Sequence, residues 1–142
     1  MTKEELREQM LAQISDEEWN KLRAGDKSLR VSVYNRNTLL RLAEEPLTDP
    51  EGIVDQASAE ELETSLRAYL DQYMAEAPEA HKWIILACLF SAFLSGEPMH
   101  PVEVVHAEKR IEDGETRWYC RAREDVPGCL CRWCVCRKQE DL

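Results

Sequence analysis

The sequence predicts a mainly α-helical bundle carrying a small C-terminal β-hairpin module. Three observations point there. Apolar residues recur at helical spacing through the first two-thirds of the chain. Ser/Thr-x-x-Glu capping boxes open several of those stretches. Five of the six cysteines then crowd between Cys120 and Cys136, behind an Asp-Gly turn signal. The expected organisation is a helical body over 1–97 and a Cys/His-rich module over 98–142, packed as a single domain.

The first helix is expected over Thr2–Ile14, with Leu6, Met10, Leu11 and Ile14 on its apolar side and Thr2 and Glu5 in a capping-box relation. Ser15-x-x-Glu18 repeats that signature, opening a short helix that buries Trp19 and Leu22 and stops near Gly25. A third amphipathic stretch runs from about Lys27 to Glu44, through Leu29, Val33, Arg36 and Leu40, with Leu39 and Leu42 alongside. The alternation at Val31–Tyr34 also suits a strand locally, but the four-residue step continuing to Leu40 favours helix, and Pro46 ends it.

Residues 46–57 form a loop by composition, with Ile53 and Val54 as expected anchors. Ser58-x-x-Glu61 reads as a third capping box, opening a helix whose stripe is Leu62, Leu66, Tyr69 or Leu70, Tyr73 and Met74. Residues 79–95 are apolar nearly all round, the mark of a helix in the middle of a soluble bundle, with Gly96 and Pro98 as its stop. Cys88 belongs to this helix as a small core residue, and His81 is expected on its solvated side. No internal repeat is present. Beyond Pro98, Val102, Val104, Val105 and Ile111 suggest a strand, Glu112–Glu115 a turn, and Thr116–Cys120 the returning strand.

The chain is acidic, with a formal charge of −10, which disfavours a general nucleic-acid binder because phosphate binding needs a basic surface. The charge is uneven: residues 1–96 hold ten basic and eighteen acidic groups, whereas 117–138 hold six basic against two acidic. A protein partner is therefore the expected class. No secretion signal is visible, and the Trp83–Leu94 run is too short to span a bilayer, so a cytoplasmic location is the default expectation. In a reducing cytoplasm clustered cysteines read as metal ligands rather than disulfides.

Structural zinc takes four ligands from thiolate sulfur and imidazole nitrogen. Cys131-Arg132-Trp133-Cys134 is the local two-sulfur unit, and Cys120 reaches the same ion if the Pro127-Gly128 turn folds the chain back. His100, His106, Cys129 and Cys136 compete for the fourth place. The Cys-x-Cys gaps point alternate side chains apart in extended chain, which favours the inner pair with more distant partners. An iron–sulfur cluster fits less well, since none of the usual cluster spacings is present. Trp118, Tyr119 and Trp133 read as packing around the site.

The elements His-Pro-Val at 100–102, Tyr-Cys at 119–120 and Cys-x-x-Cys at 131–134 resemble the C-terminal signature of an uncharacterised family of small proteins found mostly in methanogenic archaea. The resemblance spans roughly 99–138 and nominates His100, Cys120, Cys131 and Cys134 as metal ligands. Arg121 and Arg132 stand where the family carries prolines, and EVVHAEKRIEDG replaces a glycine-rich stretch. What the resemblance implies is an architecture and a metal site, with no reaction attached. A site with three cysteines and one histidine is coordinatively full, so the expected role is a non-catalytic structural or interaction module binding one zinc ion. The alternative is a thiol-redox or other enzyme using Cys129 and Cys136, whose neighbouring arginines would favour thiolate.

Overall fold

Five α-helices and an antiparallel hairpin make up the described part of the computed structural model, which describes residues 1–97 and 107–120, with side chains in the hairpin from Lys109 to Trp118. The helices are α1 (Lys3–Leu11), α2 (Asp16–Ala24), α3 (Val33–Glu44), α4 (Gln56–Tyr73) and α5 (Pro78–Leu89). The last runs on without a break into a π-helix, Phe90–Ser95.

Two of the three expected capping boxes are present. Thr2 accepts from the Glu5 amide while Glu5 accepts from the Thr2 amide, and Ser15 and Glu18 do the same at α2. Each satisfies two amides that the first helical turn leaves without partners. Gly25 closes α2 in the left-handed conformation, φ 66°, where a side chain would be strained.

The third box does not form. The amide of Val54 donates to the Met1 carbonyl at 2.8 Å, the Met1 amino group donates back to the Val54 carbonyl at 3.2 Å, and Thr2 and Ile53 form a β-bridge. That clasp holds the chain extended through Val54, so α4 begins at Gln56 behind Asp55. The Ser58 hydroxyl then donates to the Asp55 carboxylate at 2.8 Å instead of capping a helix. Of the two expected loop anchors only Val54 is buried; Ile53 is exposed.

The third helix also starts later than expected. Asp26 accepts from the Ser28 amide in a local turn, and Ser32 caps α3 through the Asn35 amide. Val33 is thereby left exposed, and the buried stripe is Thr38, Leu39 and Leu42. In α4 the stripe is Ala59, Leu62, Leu66 and Leu70, four-residue steps with one of three at its start, while Tyr73 turns outward against Tyr69.

The core is continuous from Leu6 to Leu94 and centres on α5, whose Trp83, Ile85, Leu86 and Leu89 pack between α3 and α4. Polar ties sit at its margin. Lys82 of α5 holds both carboxylate oxygens of Glu18 in α2 at 2.9 Å, and Arg7 of α1 donates to the carbonyls of Leu42 and Ala43 at the end of α3. His81, expected in solvent, is buried at 8% exposure. Its Nε2 donates to the Met74 carbonyl at 2.7 Å, serving the C-terminus of α4, and its Nδ1 lies 3.6 Å from Asp71. Among the described residues no helix is long and apolar enough to cross a membrane.

Candidate functional site

The hairpin pairs β1 (Ala107–Glu112) with β2 (Glu115–Cys120) in a register running from Glu112 opposite Glu115 to Ala107 opposite Cys120. Asp113 (φ 52°) and Gly114 (φ 79°) both take positive φ, the two-residue turn whose twist suits a tight hairpin and which Asp-Gly favours. Lys109 stands opposite Trp118 with its ammonium 5.9 Å from the indole ring. Arg110 faces Arg117, a like-charge pair that Glu112 moderates at 3.8 Å from Arg117. Trp118 packs against the helical core and so ties the hairpin to the body.

Of the four sequence-nominated ligands, Cys120 is placed as the last residue of β2. Its register partner, Ala107, follows His106 directly in the chain. The strand expected at Val102, Val104 and Val105 lies outside the described residues, as do His100, His106, Cys129, Cys131, Cys134, Cys136 and the Trp133 expected to pack beside them. Among the described side chains no group of three His, Cys, Asp or Glu is arranged to hold a metal ion.

A second cluster stands where the chain leaves the helical body. The π-helix widens the last turns of the core helix, a rare geometry found mostly at functional sites. Gly96 closes it at φ 68°, and Glu97 follows. Both Glu97 oxygens accept from Arg41 of α3, Nη1 at 2.9 Å and Nη2 at 2.8 Å, a fork-to-fork pair bridging distant parts of the sequence. Arg41 Nε donates to Glu45 at 3.2 Å, and the guanidinium lies 5.6 Å from the centre of the Phe90 ring. The bond to Glu97 holds the Arg41 pKa above its ordinary value, against an opposing effect of burial. Burial pushes the neighbouring Tyr34 hydroxyl up, with Glu97 and Cys88 adding to the push and Arg41 countering it. Tyr34 therefore remains a neutral phenol.

Sequence reasoning missed this cluster. Arg41 was readable only as one charge on an amphipathic helix, and an all-apolar run carries no periodicity to betray a change from α to π. Cys88, expected in the core, is half-buried and packs against it.

No curated protein and no solved structure matches this chain. A family described as an uncharacterized protein conserved in archaea, DUF2115, matches residues 2–139. That span takes in the capped helices, the core helix, the hairpin and the cysteine-rich segment alike, and the chain belongs to that family.

Proposed function

We propose that the protein is a zinc-stabilised structural or interaction module, its ion held by His100, Cys120, Cys131 and Cys134. The observation that supports this reading is the hairpin register. It returns Cys120 to the same end of the ladder at which β1 begins, next to the histidine-bearing stretch in sequence. A hairpin end is a compact way to bring a distant thiol to a Cys-x-x-Cys pair.

The donor set fits zinc, since three thiolates and an imidazole satisfy a tetrahedral ion. Bound zinc would cross-link the hairpin end to the tail. A filled coordination shell leaves no position for a reacting water, so the role is architectural and the partner a protein. Metal analysis of protein purified without chelator should give about one zinc per chain. Cys131→Ser should abolish it, and Cys129→Ser should retain it. Metal-free protein with oxidised thiols would overturn the reading and favour thiol-redox chemistry at Cys129 and Cys136.

A further inference from the structure

We infer that Arg41 is a positioning residue for this metal module: by gripping Glu97 it fixes where the chain leaves the helical body, and so raises the zinc affinity that His100 supplies. The inference rests on the zinc reading above.

The other long-range ion pair between helices, Lys82 with Glu18, joins two helices already set by buried leucines and tryptophans. Arg7 likewise serves the end of a helix that the core already places. Arg41 does something different. Its target lies beyond the last core residue, Leu94, and beyond the terminating glycine, where no buried apolar side chain holds the chain. The guanidinium is itself braced by Glu45 and the Phe90 ring, so it offers Glu97 a fixed fork rather than a mobile charge. Glu97 is 44% exposed in its side chain, where an ion pair contributes little to stability; its geometric effect is direction.

His100 follows Glu97 by three residues. Three residues span at most about 11 Å, so an anchored Glu97 confines the histidine backbone to a small volume. Restricting a ligand before the ion arrives raises its effective concentration, the same gain that a short tether gives a second binding module.

The test is a zinc titration of the full chain against a competing chromophoric chelator, with far-UV circular dichroism as the check on the helices. Arg41→Ala and Glu97→Ala are each expected to weaken zinc binding by roughly tenfold, the equivalent of ordering about one more residue on binding. Their helical signal should match that of the unmodified protein. In a His100→Ala background, Arg41→Ala should cost no further affinity, because it acts through the histidine. Should Arg41→Ala fail to fold, Glu97→Ala carries the test, since it leaves Arg41 on Glu45 and Phe90. Unmodified protein that takes up no zinc removes the zinc reading and this inference together. Zinc-loaded protein whose affinity is unchanged by Glu97→Ala, or a loss that simply adds to that of His100→Ala, overturns this inference alone.

Discussion

Glu18 shows how one carboxylate serves two ends. It completes the capping box at the start of α2 and holds Lys82 of α5. Burial pushes its pKa up, but the bonds from Lys82 and Ser15 together outweigh that and leave it below the ordinary value. A carboxylate depressed in the folded state stabilises the fold above its unfolded pKa, and that contribution disappears as pH falls through the folded value. Glu18→Gln should therefore lower stability at neutral pH and make the acid limb of the stability curve shallower. Denaturant midpoints taken from neutral pH down past the ordinary carboxylate range check this; parallel curves for both proteins would refute it. His81 carries a related lesson. Its position in an all-apolar helix gave no hint of burial, because what draws it inward is the terminal carbonyl of another helix.

Helix-scale features divide into those set locally and those set by distant chain. Thr2 and Ser15 were legible because a capping box is closed by residues three apart. Ser58 misled because the start of α4 is decided by the clasp between Met1 and Val54, which no local motif encodes. The Asp-Gly hairpin was legible for the same reason as the good caps, whereas the π-helix was invisible in a run lacking polar positions. Two glycines separate conformational strain from location. A Cβ at either Gly96 or Gly114 would meet open space, so alanine costs only the left-handed backbone, about 1 kcal/mol. Gly96→Ala, at the end of the core helix, should lower the global unfolding midpoint. Gly114→Ala, in the hairpin, should leave that midpoint nearly unmoved. Equal shifts in both variants would show the hairpin and body unfolding as one unit.

On the scale of the whole molecule, the continuous core draws its buried residues from the helical body, and Trp118 is the hairpin side chain that reaches it. The body therefore has what it needs to fold around α5, and the metal module would be stabilised largely by its own ion. Adding a strong chelator should make the clustered thiols reactive towards alkylating reagents while the far-UV helical signal at room temperature persists. Loss of that signal on chelation would mean that the ion organises the helices as well. The site was legible only as chemistry: sulfur and imidazole types and their spacing name an ion, but not the surface it serves. The grip of Arg41 on Glu97 was not legible at all, since residues so far apart in sequence meet only after the core has formed.

The π-helix sets a bookkeeping rule for the length of the gene product between α5 and the hairpin. An α-helix advances about 100° per residue, so losing a single residue from Phe90–Ser95 would let the segment relax to ordinary helix and swing everything downstream around the helix axis. Glu97 would then leave the guanidinium, and the hairpin would meet a different side of the body. Substitutions across this stretch are constrained one side chain at a time, but single-codon insertions and deletions there re-aim the whole C-terminal third of the protein.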